Sequence, residues 1–330
     1  MSAIINGFLP QHARAGKSLA KRVEEGEHNS YRDRSATRLA GGIKAVLAAT
    51  FCVALASCQQ PTAKASRVTR AHPTIVSLNP CSDAILAEIA EPAQLLAVSH
   101  FSHDPASSSM GVTAASRYRA VSGSVEEIAR LSPDMVVADI YLPPATAQAI
   151  RDLGMELVSI GTIDSVAASE AQIRELALAT KNSQGGELLI DRIEHALATG
   201  AAPPGQPPVS AIVWESGGIV AGDETLIADL LRRTGFVNAA AARGLGQADY
   251  LPLEAMLADP PTVILETGSA QAQEDRLLAH PALAALEHTR RVPLDSALLW
   301  CGGPTIVRAV GELAQIRREL PARARPEDAR

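Results

Sequence analysis

The chain has 330 residues, of which 47% are hydrophobic and only 3% aromatic, and its formal net charge is −6. That length allows two compact domains plus a leader, and the cores must be built mainly from Leu, Val, Ile and Ala. Basic residues are in excess only in front of Cys58, and the remainder of the chain is acidic. Because nucleic-acid binding relies on Lys and Arg that neutralise phosphates, this balance argues against a nucleic-acid partner.

The first segment, residues 1–58, is expected to be a leader. Its apolar run Ile43–Ala56 follows three arginines within residues 32–38 and is too short for a comfortable membrane span, as is typical of an export signal. Two cleavage sites compete. Leu55–Cys58 resembles a bacterial lipoprotein box, in which Cys58 would be lipidated, whereas Ala54–Ala56 fits ordinary release. We favour the lipoprotein, so the protein is expected to be exported to the periplasm and anchored to the membrane.

Export also bears on the cysteines, because it places the mature chain in an oxidising compartment. Cys52 lies in the expected export signal and Cys58 is the favoured lipidation site, which leaves Cys81 and Cys301. A disulfide between these two is one interpretation and a pair of free, buried thiols is the other. The sequence alone does not decide between them, because it gives no Cα–Cα distance.

A repeated stretch organises the mature chain. Val125–Asp139 reads VEEIARLSPDMVVAD and Leu253–Thr267 reads LEAMLADPPTVILET, and in each a glutamate (Glu126, Glu254) lies seven residues before a proline and a buried apolar run. This pattern predicts a short helix, a break and a buried strand. Two copies so far apart indicate two similar lobes rather than a solenoid, although each copy could also be an ordinary helix–strand junction.

In chain order, the first half alternates strands and helices. Strands are predicted at Thr74–Leu78, Leu95–Val98 and Glu156–Ile160, and helices from Ser82 or Asp83 to about Ala90 and at Pro143–Leu153. The polar segment His100–Arg119 is expected to be a functional or mobile loop. Such alternation predicts a parallel sheet with helices on both faces.

The second half repeats the alternation after a helical crossing. Helices are predicted at Ser165–Thr180 and Glu187–Leu197, with an interruption at Asn182–Gly186, and a proline-rich linker follows at Ala201–Pro208. The later elements are predicted as strand Val209–Trp214, turn Gly217–Gly218, helix Glu224–Arg233, helices across Gln271–Leu286, strand Arg291–Leu294 and helix Thr305–Leu320.

These elements predict an α/β fold of two Rossmann-like lobes with mostly parallel sheets, joined by a long backbone helix. The expected division is a tether at 59–73, an N-terminal lobe at 74–180, a connecting helix and linker at 181–208, a C-terminal lobe at 209–320 and a tail at 321–330.

An ordered series of segments carries a family resemblance. Thr74–Pro80 (TIVSLNP), Val121–Asp139 and Leu153–Ile160 resemble the vitamin B12 and iron–siderophore class of periplasmic substrate-binding proteins of ABC importers, and the similarity extends through Gly222–Phe236 to Leu299–Val310. The resemblance implies a monomeric receptor without catalysis or a resident cofactor. It also implies a metal chelate as ligand (cobalamin, another corrinoid or a ferric siderophore), bound in a cleft between two lobes and delivered to the permease and its ATPase.

The same resemblance assigns a role to the glutamates of the repeat. In the family, one surface glutamate of each lobe docks onto arginines of the permease, and the matching positions here are Glu126 and Glu254. Paired carboxylates on equivalent lobe tips suit a two-fold symmetric partner. Two solvated helix glutamates without a partner are the alternative interpretation.

Candidate cleft residues follow from the rule that α/β sheets present ligands at the carboxyl ends of their strands. They are Asn79, Pro80, Cys81, His100, His103 and Tyr118 in the first lobe, and Trp214, Glu215, Tyr250, Trp300, Gly302 and Gly303 in the second. Trp214 could equally fill a core, and the two glycines are expected to let a ligand approach the backbone. A tryptophan that precedes the first repeat in a B12 binder has no counterpart here, so the cleft is expected to be poor in aromatic residues.

Two other functions are alternatives to a chelate receptor. His100, His103 and Asp104 could belong to a receptor for free zinc or manganese, but a loop H-x-x-H does not orient two imidazoles as a helical pair does, and no protein metal site is predicted. A hydrolase on an α/β scaffold is disfavoured because the chain has no G-x-S-x-G, P-loop or G-x-G-x-x-G motif. The sequence therefore predicts a receptor and not an enzyme.

Overall fold

The computed structural model describes residues 71–268 and 276–320. The expected export signal, Cys58, most of the tether, residues 269–275 and the tail lie outside the described residues. Within them, no helix combines the length and apolarity that crossing a bilayer requires.

Ten helices and eleven strands are assigned over the described ranges. The helices are α1 (Pro80–Ile89), α2 (Val112–Ala115), α3 (Val125–Leu131), α4 (Pro144–Asp152), α5 (Val166–Ala179), α6 (Ser183–Gly200), α7 (Leu226–Arg233), α8 (Leu253–Ala258), α9 (Pro281–Ala284) and α10 (Pro304–Glu319). The strands are β1 (Ile75–Ser77), β2 (Leu95–Ser99), β3 (Arg119–Val121), β4 (Met135–Asp139), β5 (Glu156–Ile160), β6 (Val209–Glu215), β7 (Ile219–Val220), β8 (Phe236–Asn238), β9 (Asp249–Tyr250), β10 (Val263–Thr267) and β11 (Arg290–Pro293).

The N-terminal lobe is a parallel sheet of five strands in the order β3-β2-β1-β4-β5. Its central strands are covered on both faces and read as continuous apolar runs, such as Met135–Ala138, which is fully buried. The predicted loop His100–Arg119 instead contains a 3-10 turn, the short helix α2 and the first residue of β3. A three-residue edge strand gives too weak a periodic signal to be found in the sequence.

The C-terminal lobe has a mixed sheet of six strands. Four of them run parallel to one another: β11, β10, β6 and β8. At the carboxyl end of β6, β7 pairs antiparallel with β6, and β9 pairs antiparallel with β7. The two copies of the repeat become α3–β4 and α8–β10, and each of these strands pairs with the first strand of its lobe, β1 or β6. The α/β class and the two-lobe division are thus confirmed.

Helix α6 connects the lobes, and the interruption predicted at Asn182–Gly186 was wrong in its bounds. Asn182 does not interrupt the helix but caps it, because its side chain accepts a hydrogen bond from Gly185 N. Gly185 and Gly186 lie inside α6 because the helix passes close to α5: a Cβ on Gly186 would lie 2.5 Å from Ala177 Cβ. At its other end, α6 contacts α10 through Gly200, which packs against Val310 and Ala314.

One apolar cluster continues from lobe to lobe. It includes Ile75 and Ile85 of the N-terminal lobe, Ile193 of α6, and Val213 and Ile306 of the C-terminal lobe, all of them fully buried. Since relative motion of the lobes would have to open this shared core, large-scale closure is disfavoured.

Candidate ligand-binding cleft

The carboxyl edges of the two sheets meet at a disulfide bond. Cys81 lies in the first turn of α1, directly after β1, and Cys301 lies just before α10; their Cα atoms are 5.0 Å apart and 220 residues separate them. The Ser109 hydroxyl donates a hydrogen bond to Cys301 Sγ (2.7 Å), and the Arg308 side chain donates to the Ser109 carbonyl (2.6 Å). Of the two cysteine states that the sequence left open, the structure has the bridged one.

Gly302 and Gly303 are buried where the two lobes meet. The prediction that these glycines let a ligand approach the backbone was therefore wrong. A Cβ on Gly302 would collide with Ser169 and Ile163, and one on Gly303 with Ile85. Gly303 N also donates to Ser169 Oγ at 2.9 Å. The glycines therefore allow the C-terminal lobe to pack against α1 and α5, and no space for a ligand adjoins their Cα atoms.

Aromatic side chains mark the two edges that face each other. Every Phe, Tyr or Trp that is exposed among the described residues follows a strand on a carboxyl edge or lies beside one: Phe101 (40% exposed) and Tyr141 (55%) in the N-terminal lobe, Tyr250 (56%) and Trp300 (43%) in the C-terminal lobe. Ile140, also exposed, adjoins Tyr141. These four side chains are available to a ligand held between the two edges.

Ile140 and Tyr141 were missed as cleft residues although the sequence contained the signal. Both directly follow the apolar strand β4, and the strand-end rule that selected Asn79 and His100 applies to them equally. Asn79 Nδ2 donates to Asp139 Oδ2 (3.2 Å), which ties the ends of β1 and β4 together.

A buried carboxylate supports the edge loop that carries His100 and His103. Asp83 Oδ2 accepts hydrogen bonds from Ser99 N (2.9 Å) and Ser102 Oγ (2.6 Å), so the turn after β2 is fixed to α1. Burial raises the pKa of Asp83 to about 7 in spite of these hydrogen bonds, which lower it. The helix begins at Pro80 with Asn79 as its cap, and the predicted start at Ser82 or Asp83 was therefore wrong.

Two predicted cleft residues lie elsewhere. Trp214 is fully buried in the core between β6 and the helices on the outer face of the C-terminal sheet, together with Ile212 and Val220. Tyr118 precedes β3, at the amino end of the strand, and packs half-buried against the core. Because side chains alternate along a strand, Trp214 points away from the face that its neighbour Glu215 occupies.

Glu215 lies in a small pocket between the lobes. The pocket has a volume of about 50 Å³, and its lining combines Thr162 and Ile163, which follow β5, with Glu215 and Trp300 of the other lobe. Glu215 is 5% exposed, and burial raises its pKa to about 7. The interlobe position predicted for Glu215 and Trp300 thus coincides with an interlobe pocket.

The histidines do not form a metal-binding group with other side chains. His100 and His103 are both exposed in the 3-10 turn after β2, and His100 stacks on Phe101 with ring centroids 4.1 Å apart. Within residues 71–268 and 276–320, no three His, Cys, Asp or Glu side chains come together as a metal-ligand set.

The two repeat glutamates occupy equivalent positions. Glu126 and Glu254 are each the second residue of their helix, α3 and α8, and both are exposed. Glu127, by contrast, accepts hydrogen bonds from Ser122 N and Oγ (2.8 and 2.5 Å), which lower its pKa. Glu127 is therefore held by the segment ahead of the helix, which Ser124 caps, and Glu126 is the one that faces solvent.

Two α/β lobes joined by a helix, with a pocket and exposed aromatic residues between their carboxyl edges, define a two-lobe solute receptor. The chain belongs to the periplasmic binding protein family, whose model matches residues 75–298. Members of this family are substrate-binding receptors and not enzymes, and they deliver their ligands to the permeases of ABC importers. Membership also implies an exported protein of the periplasm.

Solved structures of the same fold include receptors with different ligands. The apo periplasmic heme-binding protein RhuT of Roseiflexus sp. RS-1 is 24% identical (TM-score 0.57; 74% of this chain and 97% of that chain covered). The heme-binding protein HutB of Vibrio cholerae is 19% identical (TM-score 0.62; 74% and 98%). The vitamin B12-binding protein BtuF of Vibrio cholerae is 20% identical (TM-score 0.56; 75% and 98%). No protein of curated function matches this chain.

Proposed function

We propose that this receptor captures a metal chelate, either a corrinoid or a ferric siderophore, between the carboxyl edges of its two lobes. The observation that carries the proposal is the placement of every exposed Phe, Tyr and Trp of the described residues on those two edges. Exposed aromatic side chains are costly unless they contact a partner, and flat rings suit contact with a large, rigid and partly apolar ligand.

The names of related receptors support this class of ligand. RhuT and HutB are named for heme and BtuF for vitamin B12, which are metal-bearing macrocycles. A chelate brings its metal already coordinated, so the protein needs no ligand set of its own. For a free zinc or manganese ion, no three His, Cys, Asp or Glu side chains of the described residues come together.

Equilibrium titration of the purified protein with cobinamide, ferrioxamine B and hemin tests this proposal. At least one of them is expected to bind, and Trp300→Ala is expected to weaken that binding by roughly 10- to 100-fold, as truncation of a central aromatic contact does. Leu178→Ala is the matched control, because Leu178 is also exposed but lies on α5, outside the cleft. No binding of any of the three ligands would contradict the proposal.

We also propose that Glu126 and Glu254 dock the receptor onto the permease. Two observations support this proposal: the glutamates hold the same position in α3 and α8, and both are exposed. Both carboxylates are therefore accessible to arginines of a two-fold symmetric partner. Glu126→Ala/Glu254→Ala is expected to reduce transport while ligand affinity stays unchanged, and Glu287→Ala, an exposed glutamate outside the repeat, is the control. Wild-type transport by the double variant would contradict the assignment.

For localisation, we propose membrane anchoring through a lipid on Cys58. The support is the lipoprotein-like sequence Leu55–Cys58 after the apolar run of the leader. Cell fractionation of wild type and Cys58→Ala tests it: the wild type is expected in the membrane fraction and the variant in the soluble fraction. An equal distribution of both would overturn the proposal.

A further inference from the structure

Glu215 combines deep burial with a position in the interlobe pocket. It is the last residue of β6, and alternation along the strand places its side chain on the interlobe face with Val213, opposite Trp214. It is 5% exposed, yet its carboxylate makes no hydrogen bond or ion pair with any residue that the structure describes. A buried carboxylate without a partner is destabilising, so a purely structural position would favour an apolar residue.

No side chain of opposite charge lines the pocket of Glu215 among the residues that the structure describes. Its pocket is lined, within the described residues, by side chains that are uncharged apart from Glu215 itself: Thr162, Ile163, Ala221, Thr225, Leu226, Ile227, Gln247, Ala248, Leu299 and Trp300. On β10, the residue opposite Glu215 is Thr267, which is also uncharged.

The charged residues of the nearest helix are engaged with one another. On α7, the Asp229 carboxylate accepts a hydrogen bond from Val166 N (3.0 Å) and pairs with Arg232 and Arg233. None of these three side chains lines the pocket. The Glu215 carboxylate is therefore the ionisable group that a ligand entering the pocket would meet.

The size of the pocket restricts what can enter it. A volume of about 50 Å³ accommodates a substituent of a few heavy atoms but not a macrocycle or a whole siderophore. The body of the ligand would therefore stay at the aromatic rim near Trp300, and a peripheral group would reach Glu215. A wall of the pocket is formed by Ala248, which has a φ of +60° that is uncommon for alanine.

We infer that Glu215 is a specificity-determining residue: it accepts a hydrogen bond from a carboxamide or ammonium group of the bound chelate, and it excludes chelates that place a carboxylate in the pocket. The inference deepens the proposed function and rests on it. Its chemical basis is that an N–H donor satisfies the buried carboxylate, whereas a second carboxylate adds like-charge repulsion to an already desolvated group. Neutral or cationic chelates with amide or amine substituents are then preferred to those with acidic ones.

Two matched pairs of ligands test this inference. Cobinamide and cobyrinic acid share a corrin ring but carry carboxamides and carboxylates, respectively; ferrioxamine B carries an ammonium group, and its N-succinyl derivative carries a carboxylate. Calorimetric titration of the purified protein at pH 8 is expected to show a preference of roughly 10- to 100-fold for the amide or ammonium member of the pair that binds.

The variant Glu215→Gln provides the decisive comparison, because it keeps the shape and removes the charge. It is expected to reduce the preference to less than about threefold, and Glu287→Gln, an exposed glutamate near the amino end of β11, is expected to keep it. In the wild type the preference should shrink from pH 8 to pH 6, since burial raises the pKa of Glu215 to about 7 and a protonated carboxyl can donate to a carboxylate. Glu215→Gln should lack this pH dependence.

The outcomes separate the inference from the proposed function. Three results overturn the inference and leave the receptor function standing. They are equal affinities for the two members of a pair, tight binding of hemin that Glu215→Gln leaves unchanged, and an unchanged preference in Glu215→Gln. Failure of all these chelates to bind overturns both.

Discussion

The two lobes repeat one helix–strand unit but complete their carboxyl edges in different ways. In the N-terminal lobe the sheet is entirely parallel, and at its carboxyl edge Asn79 donates a hydrogen bond to Asp139. In the C-terminal lobe the antiparallel strands β7 and β9 extend the edge, and Glu215 is left without a partner among the described residues. Asn79 and Asp139 on the first edge bind each other, whereas Glu215 on the second edge remains for a ligand.

The buried carboxylates show what this difference means. Burial raises the pKa of both Asp83 and Glu215 to about 7. Asp83 nevertheless accepts two hydrogen bonds that fix the turn after β2, whereas Glu215 fixes nothing. The raised pKa is common to the two residues and does not distinguish their roles. The hydrogen-bond partners do, because Asp83 has them and supports the fold, whereas Glu215 lacks them and is left for a ligand.

The largest expected effect concerns the bond that holds the two edges together. Cys81→Ala/Cys301→Ala should lower the free energy of unfolding by about 2–5 kcal/mol, because the bridge closes a long loop, with 220 residues between its ends. Urea unfolding followed by circular dichroism measures it, and reduction of the wild type should have a similar effect. A loss below about 0.5 kcal/mol would show that the shared core alone fixes the lobes.

The next effect separates the two carboxylates directly. Asp83→Asn should destabilise the protein by about 1–3 kcal/mol, since the amide cannot replace the buried acceptor without leaving a donor unsatisfied. Glu215→Gln should change the stability by less than about 0.5 kcal/mol or increase it, because it removes a desolvated charge that nothing balances. Urea unfolding of both variants at pH 8 is the measurement, and equal losses would contradict the division of roles.

A smaller effect is expected for the aromatic residues of the two edges. Phe101→Ala and Tyr250→Ala should each weaken chelate binding by about fivefold or more if the ligand contacts both lobes at once. The unfolding free energy of each variant should fall by less than about 3 kcal/mol, the lower end for a buried aromatic residue, since both side chains are partly exposed. A loss of affinity confined to the variant of one lobe would show that the ligand binds to a single edge.

The last prediction concerns the pH dependence of stability. For both carboxylates the pKa of the folded state lies above that of the unfolded state, so the folded state binds more protons between about pH 4 and pH 7 and the unfolding free energy falls as the pH rises through that window. Glu215→Gln removes one contribution. Its stability relative to the wild type should therefore rise from pH 5 to pH 8, and a constant difference would argue against a buried, titrating Glu215.

Much of the fold could be predicted because its signals are local. The apolar runs of β1, β4, β6 and β10 and the repeated proline spacing are properties of short segments, and they sufficed for two α/β lobes. The short strands β3, β7, β8 and β9 were missed since two or three residues carry no detectable period. The glycines of α6 were misread as a break because the reason for them, contact with Ala177, lies on another helix.

The cleft was only partly predictable, for a related reason. The strand-end rule selects positions, and it correctly placed His100, Glu215 and Trp300 on the carboxyl edges. It does not tell which way a side chain points, so Trp214 was included although it faces the outer core. Whether Gly302 borders a ligand or a packed side chain depends on how the lobes meet, which no single segment encodes.

The central claim is that the ligand lies between the two carboxyl edges, and the position of its metal tests this most directly. Crystals grown with whichever of cobinamide, ferrioxamine B and hemin binds would locate cobalt or iron by anomalous scattering. We predict the metal between Phe101 and Tyr141 of one lobe and Tyr250 and Trp300 of the other, with a substituent directed to Glu215. A metal found instead in the groove of about 880 Å³ between α6 and α10, near His195, would contradict the account.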